Sequence, residues 1–163
     1  MLEAFPEAKG TWVDGSAAML EMAQTALAPY AHRVTFVLAE LEALDPAAFP
    51  SADVVVSSRA LHHLSPSSLA NAYRAVAASL TPDGFVCNLD HVGSPEDYWQ
   101  GAYRRLRDQF VGRRRKRLRP HRQDGPLPPA DLHLQSMTAA GLVYADVPWR
   151  LLMTALIVAR KPG

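Results

Sequence analysis

Short β-branched or apolar runs alternate along this chain with stretches whose apolar residues recur every three or four positions. Thr11-Trp12-Val13 is an apolar run ending at Asp14. Ser16 then offers a helix cap, and Leu20, Ala23 and Leu27 follow at helical spacing until Pro29. Val34 to Leu38 is β-branched and aromatic, hence a strand, and Asp45 to Pro50 reads as a loop or single turn. Asp53 to Ser58 is a continuous apolar strand, the pattern expected when both faces are covered by helices. Ser65-Pro66 opens a helix carried by Leu69, Tyr73, Val76 and Leu80, and Thr81-Pro82-Asp83-Gly84 predicts a turn after it.

Phe85 to Leu89 is the next strand. Trp99, Tyr103, Leu106 and Phe110 mark a long amphipathic helix, from about Pro95 to Leu118, whose other face is basic. Prolines and a glycine make residues 119–129 a loop, and Pro129 to Ala140 a helix stopped by Gly141. Leu142 to Val147 and Leu151 to Ala159 read as two strands joined at Pro148-Trp149-Arg150. Strands separated by helices predict an α/β fold with a mostly parallel sheet, helices on both faces and one antiparallel strand at the end.

Composition changes this picture little. With 163 residues, 48% hydrophobic and 20% charged, the chain suits one domain over residues 1–163 and no disordered class. Its single Cys87 cannot form an internal disulfide, which points to a reducing, cytoplasmic setting. No apolar run is long enough to span a bilayer, so no membrane role is expected. Charge changes more. Residues 1–103 carry 4 basic and 12 acidic side chains, whereas residues 104–122 carry 10 basic and 1 acidic. The basic helical insertion at about 95–122 therefore needs its own explanation.

Five segments, taken together, resemble class I S-adenosylmethionine-dependent methyltransferases. Asp14-Gly15-Ser16 with Ala18-Met19-Leu20 is similar to that family's second-strand motif. Val34 to Val37, followed by Ala39-Glu40-Leu41, resembles its third strand and the loop bordering the adenine. Asp53 to Leu64, with Ser58, Arg59, Leu61, His62 and His63, resembles its fourth strand. Leu80-Thr81-Pro82-Asp83-Gly84-Phe85 resembles the turn before the fifth, and Ala139-Ala140-Gly141-Leu142 the close of the fold.

The resemblance implies a Rossmann-like sheet, S-adenosylmethionine as cofactor and methyl transfer to a small-molecule acceptor. It also exposes a gap. The family opens with a strand and a Gly-x-Gly-x-Gly loop whose backbone and helix N-terminus meet the cofactor. None of the nine glycines here are spaced by two. Residues 2–8 resemble the end of the first helix, so a βα unit on the order of 30–40 residues is missing. The family places that strand between its second and fourth, so two inner strand edges would lack partners. The expected explanation is a chain that truly begins further upstream; a degenerate fragment or a strand supplied by another chain are the alternatives.

The resemblance assigns Asp14 to the ribose hydroxyls, with Gly15, Ser16 and Met19 alongside. It assigns Glu40 and Leu41 to the adenine border and Ser58 to the methionine end. Asp14 read blandly is a turn residue capping the next helix, Glu40 a solvated loop acid and Met19 core filler. Arg59, Leu61, Asp90 and His91 are expected to line the substrate pocket. His62 or His63 is a candidate base, because imidazole titrates near neutrality; otherwise one packs under the next helix and the other faces solvent. His and Asp are common metal ligands, but this spacing matches no recognised zinc pattern, so no metal is expected. The Arg104–Arg122 block reads as the outer face of a lid helix. The alternative is a non-catalytic module that binds RNA or an acidic partner through that helix.

Overall fold

The first strand, β1 (Gly10–Asp14), pairs in parallel with β2 (Val34–Leu38), and α1 (Ala17–Ala26) connects them. Ser16 caps α1 by accepting from the Met19 amide (3.3 Å), as its hydroxyl and position predict. The computed structural model describes residues 1–94, 96–111 and 126–163. Residues 1–8 form helical turns pinned by Arg33, whose guanidinium donates to the carbonyls of Leu2 (3.0 Å), Phe5 (3.2 Å) and Ala8 (2.8 Å).

The remaining strands form a second sheet. β3 (Ala52–Ser58) runs parallel to β4 (Leu80–His91), and α2 (Pro66–Ser79) joins them. The helix α3 (Asp97–Val111) and α4 (Ala130–Ala139) follow. The chain closes with β5 (Val143–Leu151) and β6 (Thr154–Arg160), and β6 lies antiparallel to both β4 and β5, giving the order β3-β4-β6-β5. Among the described residues, nothing pairs with the second edge of β1 or of β3; the two sheets are separate, as the missing strand predicts.

One face of the larger sheet is covered. Leu69, Ala72 and Tyr73 of α2 and Met137 of α4 pack on Val86, Ile157 and Ala159. Helices were expected on both faces, but the other face is bare among the described residues. There Val54 (41%), Val56 (54%), Phe85 (48%) and Leu89 (38%) are exposed. The helix α1 packs on the β1–β2 pair, which forms a sheet separate from the larger one.

Two boundaries differ from expectation. The Thr81–Gly84 turn is absorbed into β4 as an irregularity in its pairing with β3, with Asp83 at φ 66°. Pro148-Trp149-Arg150 lies inside β5, and the chain reverses at Leu152-Met153 instead, with Leu152 at φ 55°. At the end of α4, Gly141 adopts φ 85°, and the Leu142 amide donates to the Met137 carbonyl (3.1 Å), the geometry that ends helices at glycine.

The chain leaves the sheet after β4 and returns before α4 at one point. The Gly93 amide donates to the Pro128 carbonyl (2.9 Å), and Gly93 bridges Pro129 in parallel. A Cβ at Gly93 would run into the Leu127 carbonyl oxygen, so backbone closeness requires glycine here. Of the basic segment, residues 112–122 lie outside the described residues, as does Pro95. Among the described residues no helix is long and apolar enough to cross a membrane.

Candidate active site at the carboxyl ends of the strands

In an open parallel sheet, loops leaving the carboxyl ends of the strands are where side chains converge on a ligand. The ends of β1 and β2 carry an acidic pair. Asp14 Oδ1 accepts the Ser16 amide (2.9 Å), and the Asp14 carbonyl accepts the Ala39 amide (3.0 Å), which fixes both loops. Glu40 follows β2 and lies over Gly15: a Cβ on Gly15 would stand 2.7 Å from Glu40 Oε2. Gly15 thus leaves room for the Glu40 carboxylate. Leu41 packs against the core, while Met19 stands 46% exposed on α1.

Beyond β3, Ser58 and Arg59 are exposed. Arg59 takes φ 54°, a left-handed backbone that arginine rarely adopts, and its amide donates to the Leu89 carbonyl of β4 (3.0 Å). A short 3-10 turn then folds Leu61 and His62 inward and leaves His63 exposed. Leu61 is buried at 6% exposure and packs in the core cluster that includes Leu69, Ala72 and Tyr73 of α2.

Asp90 is buried as well. It is fully buried on the covered face of β4 and turned to His62: Oδ2 accepts the His62 amide (3.0 Å) and Oδ1 accepts Nδ1–H of its ring (2.5 Å). Oδ1 also accepts the His91 amide (2.8 Å). Burial pushes the Asp90 carboxyl up, but the hydrogen bond and charge of His62, with the His91 amide, outweigh it and hold it below the ordinary range. An ionised Asp90 therefore orients His62 through Nδ1. The His62 ring lies 3.9 Å from that of His63 and 5.1 Å from that of His91, centroid to centroid. His91 is half-buried, and burial, then His62 and Arg59 against the opposing Asp90, holds its pKa below the usual imidazole value.

Sequence reasoning missed the network behind this group. Asn88 Nδ2 donates to the Tyr73 hydroxyl (3.2 Å), which leaves the hydroxyl proton for Nδ1 of His133 (2.9 Å). All three side chains are fully buried. Burial lowers the His133 pKa to about 4 and raises that of Tyr73. The signal was a tyrosine at a core position of α2, whose hydroxyl needs a partner. Arg150 was missed as well: its guanidinium donates to the carbonyls of Leu152 (3.1 Å) and Gly93 (3.3 Å) and lies 5.9 Å from the Tyr103 ring centroid. On α3, Trp99 (50%) is exposed, so it is not the core residue its spacing predicts, and it stacks edge to face with the exposed Tyr98 (70%). Among the described residues no group of three or more histidines, cysteines and acids is placed to hold a metal.

Comparison with known proteins bears on the fold. No curated protein sequence matches the chain. Solved structures do. An O-methyltransferase family protein from Burkholderia thailandensis superposes with a TM-score of 0.74 at 17% identity, covering 99% of this chain and 46% of that one. An O-methyltransferase family 2 protein from Planctomyces limnophilus, in complex with apigenin, gives 0.71 at 17%, covering 98% and 44%. Human N-acetylserotonin methyltransferase in complex with S-adenosylmethionine gives 0.66 at 15%, covering 99% and 43%. The chain thus spans less than half the length of these structures, and the likeness is one of fold. A family described as a methyltransferase domain matches residues 1–84, just over half of the chain. That match covers β1, β2, β3 and the acidic rim between them, and this chain therefore belongs to the methyltransferase domain family, with the class I fold.

Proposed function

We propose that this chain is the cofactor- and acceptor-binding core of an S-adenosylmethionine-dependent methyltransferase acting on a small molecule. One observation carries the proposal: two carboxylates, Asp14 and Glu40, flank Gly15 at the carboxyl ends of adjacent parallel strands. Carboxylates accept hydrogen bonds from paired hydroxyls and from an exocyclic amine, the donors an adenosyl group presents. Asp14 would hold the ribose and Glu40 and Leu41 would border the adenine. Gly15, Ser16 and Met19 lie along that edge, and Ser58 stands toward the reacting end. The bound cofactor supplies a methyl group on a sulfonium, an electrophile that needs only a positioned nucleophile. The protein's part is to orient the acceptor and exclude water. His62 is buried and held by Asp90, which suits it to shaping the floor of the site; His63, which is exposed, and His91, which is half-buried, would stand nearer the acceptor. The helix α3 would form the outer wall. The ligands of the Planctomyces limnophilus and human proteins support a small-molecule acceptor and this cofactor.

Calorimetric titration of the 163-residue chain with S-adenosylmethionine tests the reading. Binding is expected, weakened about tenfold or more in Asp14→Ala. A folded chain that binds no cofactor would show that this polypeptide is not itself a cofactor-using enzyme.

A further inference from the structure

The rim of the site is electrically divided. Asp14 and Glu40 stand at the ends of β1 and β2, whereas Arg59, His63, His91 and Arg150 stand at the ends of β3, β4 and β5. The carboxylate built into that second half, Asp90, is fully buried and committed to His62. Glu96 and Asp97 lie at the start of α3, where the helix dipole accounts for them.

Arg59 is the unusual member. Among the described residues its exposed guanidinium makes no hydrogen bond or ion pair. Its backbone holds the left-handed conformation at φ 54°, where glycine would be relaxed. Strain of this kind is retained where a side chain is put to use. The bond from its amide to Leu89 ties the base of the side chain to β4. Arg59 is also close enough to His91 to disfavour a proton there.

We infer that Arg59, on the same rim as His63 and His91, is a receptor for an anionic group of the methyl acceptor: a carboxylate, or a hydroxyl ionised when bound. The inference deepens the methyltransferase reading and rests on it. It also removes the need for a base. An acceptor that has lost its proton to solvent forms the C–O bond with an oxygen lone pair. The C–S bond breaks with its electrons going to sulfur, and a neutral thioether and a methyl ester or ether result. A guanidinium stabilises such an anion by charge-assisted hydrogen bonds.

Salicylate serves as the probe and salicylamide as its neutral counterpart, each titrated into the full chain without cofactor and followed by NMR at the His63, His91 and Arg59 side chains. Salicylate should bind about tenfold or more tighter than salicylamide, and Arg59→Gln should abolish the preference. Arg59→Gly should abolish it too while melting above Arg59→Gln, since glycine accepts the positive φ. Equal affinity for the two probes, or salicylate binding unchanged in Arg59→Gln, overturns the inference. Cofactor titration of the same sample keeps the readings apart. Anion preference without cofactor binding upholds the receptor and sinks methyl transfer. Cofactor binding without anion preference sinks the receptor alone.

Discussion

Asp90 accepts hydrogen bonds from two backbone amides and one imidazole, and His133, Tyr73 and Asn88 lie behind it with no exposed surface. Such groups make the fold sensitive to acid. His133 has a pKa of about 4 in the folded chain against 6.5 when solvated, so only the unfolded chain takes up its proton between those values. Stability from this group is whole above pH 6.5 and is lost as pH falls toward 4. The loss between pH 7 and pH 5 is about 2 kcal/mol, readable as a drop in urea midpoint that His133→Gln flattens. Asp90, with its lowered pKa, pushes the same way at more acid pH. Little of this was legible beforehand. Asp14 and Glu40 announced themselves because each follows a recognisable strand. The burial of Asp90 was not legible, because sequence tells which strand end a residue occupies, but not which face of that strand is covered.

At the scale of elements, periodicity located β1, β2, β3, α1, α2 and α4 closely, because caps and β-branched runs are local signals. It failed where tertiary context overrode local chemistry. Pro82-Asp83-Gly84 looks like a break, yet β4 carries it as an irregularity because β6 continues the pairing beyond it. Pro148 looks like a turn, yet β5 is the edge of its sheet, where a strand can lack one amide donor. Gly93 gave no warning, since its importance comes from a segment more than thirty residues on. Gly93→Ala should cost about 2–3 kcal/mol in urea unfolding and speed hydrogen exchange of the amide at position 93. Wild-type stability and protection would show that the Leu127–Pro128 backbone can yield.

Across the whole molecule, the separation into two sheets is the dominant feature. Among the described residues, the second edges of β1 and β3 carry unpaired backbone groups, and Val54, Val56, Phe85 and Leu89 lie bare beside them. Exposed edges and apolar faces promote association. Sedimentation of the 163-residue chain should show concentration-dependent self-association, and Val56→Lys should shift it toward monomer. A wild-type chain that stays monomeric at high concentration would count against this. The fastening at Gly93 works in the opposite direction. Because the chain departs and rejoins at one fixed point, the entropy of closing the excursion between β4 and α4 grows only logarithmically with its length, about 0.6 kcal/mol per doubling. The sheet and its buried network need not register what happens out there. Evolution can lengthen, shorten or recompose that excursion while the machinery that folds the domain stays as it is.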